Sequence, residues 1–292
     1  MSSVDKSEPY AARAFKKPAL SIMFANIQKL TKNKRDSIKA DFGYMACDII
    51  LLSECGTQKE ECVKNFQIEG YQIINATGNR KILSKNGQVC YWRTDSSANG
   101  IIDFVAHNAN PITHNYNEGY NYQQLTSRLD DNRNAEIPSV VHEKTLVEIS
   151  MHCYTQTATQ RKIHLIQIYN HPEGSEDKRM DNLIKEFEKF SIRNLNNKNP
   201  HYPMIMFGDF NIDFNTKKYR DRWDDYFGAN FGLVPTLTNT CTRPIVKEMN
   251  DPTKQRQLDW VFTTKSLDDQ ETLPYSTWFS DHLPLYTAVN KI

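Results

Sequence analysis

The sequence predicts an α/β fold, on three observations. Short apolar runs of strand length recur along the chain, and the clearest, Met204-Ile205-Met206-Phe207, leads into Gly208-Asp209-Phe210-Asn211. Two such runs, Leu20 to Ile27 and Asp48 to Glu54, flank a charged helical stretch, the order expected of a parallel strand pair and its crossover helix. An amphipathic stretch from Ser175 to Asn196 puts Met180, Leu183, Ile184, Phe187 and Phe190 on one face.

Taken in order, Met1 to Pro18 is polar and aperiodic and reads as a flexible arm, with Arg13, Lys16 and Lys17 solvated. Leu20 to Ile27 is a strand ending near Asn26. Lys32 to Cys47 is a helix with Ile38, Phe42 and Met45 on one face, and Asp48 to Glu54 is an apolar strand with a carboxylate at its far end. Tyr71–Asn75, Gln88–Arg93 and Ile101–Ala106 are short strands, with Gly87 and Asn99-Gly100 as turn signals. His107 to Pro138 is a long insertion rich in Asn and Tyr. It carries Arg128 and Arg133, and Tyr116, Tyr120 and Tyr122 either pack locally or stack on bases.

Val140–Thr155 and Lys162–Tyr169 are strands, the second running into Asn170-His171-Pro172. After the long helix comes the central strand, at whose end Gly208 lets the backbone turn tightly. If the chain stays extended, Asp209 and Asn211 point the same way. Short helical material reaches Asn230, Leu258–Phe262 is a further strand, and Leu285 to Val289 is the last. No internal repeat or linker interrupts this order. Residues 1–18 are therefore the arm and 19–292 a single domain.

Composition narrows the function classes. Hydrophobic residues make up 39% and charged residues 24%, enough for a substantial core and against global disorder. With 36 basic and 35 acidic residues the formal charge is +1, so any polyanion site must be a local patch. None of the six cysteines forms a C-x-x-C pair, which argues against structural zinc, and Cys241 reads as a packed thiol. The first residues lack the apolar stretch of a signal peptide, and no window has the length and apolarity of a bilayer span. These features predict an intracellular protein, in cytoplasm or nucleus, with reduced thiols. Asn75-Ala76-Thr77 is then a surface turn, and the oligomeric state stays open.

Polar residues close several of the apolar strands: Asn26, Glu54, Tyr169, Asp209 with Asn211, Asp259, and Asp281-His282. Singly, each has a structural reading: Glu54 as a helix N-terminal carboxylate, Asp281 as an N-cap, His282 as a surface histidine, Asn26 as a turn residue. Together, in this order and with these neighbours, Ala25-Asn26-Ile27, Leu52-Ser53-Glu54, Tyr169-x-x-Pro172, Gly208-Asp209-Phe210-Asn211, Leu258-Asp259-Trp260-Val261-Phe262 and Ser280-Asp281-His282-Leu283-Pro284 resemble the endonuclease/exonuclease/phosphatase superfamily, the fold of DNase I and exonuclease III.

That resemblance covers nearly the whole chain beyond the arm and implies a four-layered α/β sandwich, two packed mixed β-sheets flanked by helices. It also implies Mg²⁺, with Mn²⁺ as the alternative, held by Glu54 and Asp281 with Asn26 supporting the shell. Asp209 would orient or deprotonate the attacking water, and Asn211 would hold that water or a phosphate oxygen. His282 would donate to the phosphoryl oxygens, oriented by Asp259. Tyr169 stands where many members carry histidine. It resembles the abasic-site and retrotransposon-type endonucleases, in which this tyrosine contacts phosphate; Pro235 to Thr242 resembles the latter group as well. His171, Arg128 and Trp278 are further candidate substrate contacts, and Trp260 reads as core.

The implied function is a metal-dependent nuclease acting on DNA or RNA. The alternatives are a deadenylase-like exoribonuclease, or a phosphoesterase for inositol phosphates or sphingolipids, on the same fold. A third reading is a catalytically silent binding or structural protein; at none of the matched positions is the expected residue type lost.

Overall fold

The computed structural model describes residues 18–56, 59–76, 87–94, 101–105, 147–156, 162–172, 174–195, 202–243, 255–267, 270–276 and 279–290. The expected arm up to residue 17, the 107–138 insertion with Arg128, and Trp278 lie outside them.

In chain order the elements are β1 Leu20–Asn26, α1 Lys32–Ala40, α2 Phe42–Ala46, β2 Ile49–Ser53, α3 Lys59–Asn65, β3 Tyr71–Ala76, β4 Val89–Arg93, β5 Ile101–Val105, β6 Val147–Gln156, β7 Lys162–Asn170 and α4 Glu176–Asn194. There follow β8 Met204–Asp209, α5 Lys217–Trp223, a π-helical turn Asp224–Gly228, α6 Ala229–Phe231, β9 Leu233–Pro235, β10 Asp259–Thr264, β11 Gln270–Pro274 and β12 Leu285–Val289. The single helix expected over 32–47 is two. Asp41 leaves helical geometry (φ −94°, ψ 115°), and its carboxylate accepts from the Gly43 and Tyr44 N–H groups, capping a new helix instead of continuing the old one. Ser175 caps α4 in the same way, accepting from Lys178 N.

The strands form two mixed sheets. One runs β11-β12-β1-β2-β4-β3 and the other β5-β6-β7-β8-β10-β9. Leu20, Ile22, Phe24, Ile49 and Leu51 of the first sheet meet Ile163, Leu165, Ile205, Phe207 and Val261 of the second in a buried layer between them. On its outer face the first sheet packs Met23, Ala25, Ile50 and Leu52 against Ile38, Tyr44 and Cys62 of α1–α3. The second packs Ile166, Ile168, Met204 and Met206 against Met180, Leu183 and Phe187 of α4 and Trp223 of α5. Helix, sheet, sheet, helix is the four-layered sandwich expected.

The period of two along these strands carries the inward rows out to their ends. Asn26 continues Leu20, Ile22 and Phe24; Asp209 continues Ile205 and Phe207; Asp259 precedes Val261 and Thr263; Tyr169 follows Ile163, Leu165 and Gln167. Register brings them level. Tyr169 pairs with Asp209 in the parallel β7–β8 ladder, Asp209 with Asp259 in antiparallel β8–β10, and Asn26 with Ser53, next to Glu54, in parallel β1–β2. The polar ends of both inward faces therefore meet at one end of the inter-sheet layer.

Gly208 does not make the turn expected of it. It lies inside β8, and a Cβ there would come within 2.5 Å of the Ile168 carbonyl oxygen, so glycine is what lets β7 and β8 approach this closely.

Between the sheets a polar group interrupts the apolar layer. Gln167 Nε2 donates to the Leu52 carbonyl across the gap (2.8 Å), Ser150 Oγ donates to Gln88 Oε1, and His152 is completely buried against Gln167. Burial pushes the His152 pKa down to about 4, against a smaller upward pull from its hydrogen bond with Gln167. Between pH 4 and 6.5 the unfolded chain takes up a proton that the folded chain refuses. Stability is thus fully present above pH 6.5 and falls as pH drops, by roughly 3 kcal/mol at pH 4. Urea midpoints at pH 7.5 and pH 4.5 are expected to differ less in His152→Gln than in the wild type. An unchanged pH slope in the variant would assign the acid sensitivity elsewhere.

Candidate active site

At the end of the inter-sheet layer, Asn26 joins the two sheets. Its Nδ2 donates to Glu54 Oε1 at 3.0 Å and to Asp209 Oδ2 at 2.8 Å, while its Oδ1 accepts from Gln28 N at 3.1 Å. Glu54 has φ +54°, an uncommon left-handed geometry just beyond β2 that turns its side chain into the site. The Tyr169 hydroxyl donates to the same Glu54 Oε1 at 3.1 Å. The second Glu54 oxygen takes no hydrogen bond from the described residues.

Asp209 is 1% exposed, and its two oxygens accept from Asn26 Nδ2 and Asn211 N. Burial and the neighbouring Asp259 charge push its pKa up, against the pull of His282 and the Asn26 hydrogen bond. Asn211 is not extended, as the i, i+2 reading required. It sits at φ +50° beyond the end of β8, and its Nδ2 donates to the Asn170 carbonyl at 2.7 Å, so it fastens the loop after β7. The physical reason is the turn that Asp209 nucleates by accepting from its N–H (3.0 Å).

Beside Asp209, His282 Nδ1 lies 2.7 Å from Asp259 Oδ2, with the two side chains 3% and 0% exposed. Burial alone would lower the His282 pKa, but the Asp259 charge and hydrogen bond, with the charges of Asp209 and Asp281, outweigh it and raise it to about 10. The imidazole is therefore a cation near neutral pH, and Nε2 is left for the site. Asp281 stands 3.9 Å from that Nε2 and 3.6 Å from Arg243 Nε. Asp209, Asp259 and His282 offer ligand atoms all within 4.8 Å of one another.

Several supporting residues were given no role by the sequence, although Thr242 and Ser280 stand in segments that carry the resemblance. Thr242 Oγ1 accepts from the N–H groups of Leu258 and Asp259, both at 3.0 Å, and the Thr242 carbonyl accepts from Leu283 N at 2.7 Å, so one residue anchors both ends of the His–Asp pair. Ser280 Oγ donates to the Asn26 carbonyl and accepts from His282 N. Lys34 Nζ donates to the carbonyls of Ile27 and Gln28, fastening the loop that follows Asn26. These contacts run between residues 16 to 254 positions apart, except within the 26–34 and 280–282 loops, beyond the reach of local pattern.

The remaining candidates fall around this centre. His171 is half-buried with its ring edge-on to Tyr169, centroids 6.2 Å apart, and Trp260 is core, its Nε1 donating to Ile212 O and Gln257 O. Cys241 Sγ donates to Gln255 Oε1 at 3.0 Å, consistent with a packed thiol.

The fold defined by these two sheets is that of the endonuclease/exonuclease/phosphatase proteins. An endonuclease/exonuclease/phosphatase family protein of Bacteroides thetaiotaomicron superposes with TM-score 0.57 at 16% identity, covering 94% of this chain and 98% of its own. The mannosyl-6-phosphatase of Bacteroides thetaiotaomicron VPI-5482 gives 0.56 at 17% identity (92% and 98%). D. rerio TDP2, solved with a single-strand DNA product, gives 0.57 at 12% identity (93% and 99%). No family sequence model and no curated protein sequence matches the chain. Among the described residues, no helix is long and apolar enough to cross a membrane.

Proposed function

We propose that this protein is a divalent-metal-dependent phosphodiesterase that hydrolyses nucleic acid. The observation that carries the reading is the buried His282–Asp259 pair set beside Asp209, with Glu54 tied to the same Asp209 through Asn26. A buried carboxylate with a raised pKa next to an imidazolium is a base and an acid held together, which is what water attack on a phosphoryl group requires.

A divalent cation fits the donor set. Among the described residues nothing donates to the second Glu54 oxygen, so a hard oxygen acceptor stands unspent at the site. Glu54 and Asp281 would hold Mg²⁺ or Mn²⁺, with Asn26 supporting the shell by steadying Glu54 through its Nδ2; the ion when bound supplies Lewis-acid charge and a more acidic water. We keep the metal on Glu54 and not on the Asp209–Asp259–His282 group, because His282 Nδ1 is already spent on Asp259 and Asp209 on Asn26 and Asn211.

The protein's own groups then have definite work. Asp209 receives a proton from the attacking water. His282 presents Nε2–H to the phosphoryl oxygens, its tautomer and orientation held by Asp259. Tyr169, 2% exposed, donates to Glu54 and orients that carboxylate. Asn211 sets the loop carrying Asn170 and His171.

The DNA product bound by D. rerio TDP2 supports a polynucleotide substrate. The mannosyl-6-phosphatase likeness and the near-neutral charge support a second reading, hydrolysis of a small phosphomonoester. The deciding assay offers single-stranded, double-stranded and abasic DNA and polyadenylated RNA with Mg²⁺, beside a panel of sugar phosphates, inositol phosphates and sphingolipids. Cleavage of a polymer, lost on chelation and in Asp209→Ala, is the expected result. Turnover confined to the small-molecule panel would replace the nuclease reading.

A further inference from the structure

The centre is rich in negative charge. Glu54, Asp209, Asp259 and Asp281 contribute four carboxylates, against which the buried His282 brings one positive charge. A divalent cation on Glu54 and Asp281 would serve the scissile phosphate, so the neighbouring phosphates of an anionic chain need cations that neither it nor the carboxylates have consumed. Among the described basic residues, Lys29 is exposed beside Glu54, whose carbonyl accepts from its N–H, and Arg179 is spent on the Pro172 and Gly174 carbonyls; Lys34 and Arg243 lie near Asp281. Lys34 is tied to the Ile27 and Gln28 carbonyls, so it serves its own loop. Arg243 is different. Its Nε lies 3.6 Å from Asp281 Oδ2, too long for a hydrogen bond, and among the described residues no acceptor engages Nη1 or Nη2. The side chain is 43% exposed, and its partner carboxylate 38%.

Its backbone, by contrast, is held firmly. Arg243 bridges Arg256 in an antiparallel pair, its N–H donating to the Arg256 carbonyl at 3.2 Å, and it directly follows Thr242, which fastens the backbones of Asp259 and Leu283. A rigid root therefore carries a planar five-donor fork, largely unspent, next to the carboxylate that faces His282 Nε2. Such a fork matches two phosphate oxygens at once, a match that lysine cannot reproduce.

We propose that Arg243 is a substrate-binding residue that grips a backbone phosphate of the polynucleotide beside the scissile one, leaving its long contact with Asp281 to do so. The inference rests on the polynucleotide reading above. It assigns Arg243 to affinity and register, with the chemical step left to Asp209 and His282.

The test is fluorescence anisotropy of a labelled single-stranded oligodeoxynucleotide on the full chain, in the cleavage-silent Asp209→Asn background with Mg²⁺, across a salt series. Introducing Arg243→Ala is expected to weaken binding roughly tenfold or more. It should also reduce the slope of log Kd against log salt by about 0.7, one phosphate contact on a single strand. Arg243→Lys should restore the slope and only part of the affinity. In the otherwise unaltered enzyme, Arg243→Ala should raise KM with kcat largely kept. Equal affinity and equal salt slope with and without the substitution would overturn the assignment while leaving the nuclease reading in place. Failure of the parent protein to bind the oligonucleotide at all would overturn both.

Discussion

Asp209→Asn is expected to lower kcat/KM by about a thousandfold or more, about 4 kcal/mol of transition-state stabilisation, while the melting temperature stays within a few degrees of the wild type. The amide keeps the size and one acceptor oxygen of the carboxylate, so only one of the bonds from Asn26 Nδ2 and Asn211 N is lost, at a cost of about 1 kcal/mol. Removing the buried charge also relieves its repulsion with Asp259 while giving up its attraction to His282, two effects of opposite sign. Rate and stability should therefore separate. Single-turnover cleavage and a thermal melt on the same preparation read both. A variant that melts normally and turns over like the wild type would remove Asp209 from the chemistry. One that loses both rate and fold would make it a structural link between the sheets.

How legible this was in the sequence depended on whether the cause was local. Asn26, Tyr169, Asp209 and Asp259 could be picked out because each ends or begins an apolar run, and an inward row of period two has nowhere to put its last polar member except the mouth of the layer; Glu54 also ends a run, but on the outward row of Ile50 and Leu52, and its φ of +54° turns it into the site. The parallel β1–β2 pair and the long helix α4 were legible for the same reason, since periodicity is a local property. What stayed hidden was set by register and by distant partners. Gly208 looked like a turn glycine, because the close approach of Ile168 is made by a strand about 40 positions away. Asn211 would share the face of Asp209 only in an extended chain, but Asp209 accepts from its N–H and bends the chain after one residue. The three-residue strand β9 is too short to show a period, and β11 and α3 carry too few apolar residues to show one. Thr242 and Arg243 sit in an irregular segment whose meaning comes from what β10 and the 280–283 turn place beside it.

His282→Ala should cost at least about a hundredfold in kcat/KM, and adding Asp259→Asn to it should cost little more. The geometry requires that result. Asp259 is completely buried, its Oδ2 lies 2.7 Å from His282 Nδ1, and its backbone N–H is held by Thr242, so its action on the substrate passes through the imidazole. With the ring present, Asp259→Asn removes the charge that keeps His282 protonated and frees the ring to take the other tautomer, and the rate should fall. With the ring absent, the carboxylate has nothing left to orient. A four-corner cycle of wild type, both single variants and the double variant measures this coupling directly. Strong non-additivity, with the double variant close to His282→Ala, makes the pair one catalytic unit. Costs that multiply would mean that Asp259 acts independently, and its buried Oδ1, which has no hydrogen-bond partner among the described residues, would then be the atom through which it reaches a cation.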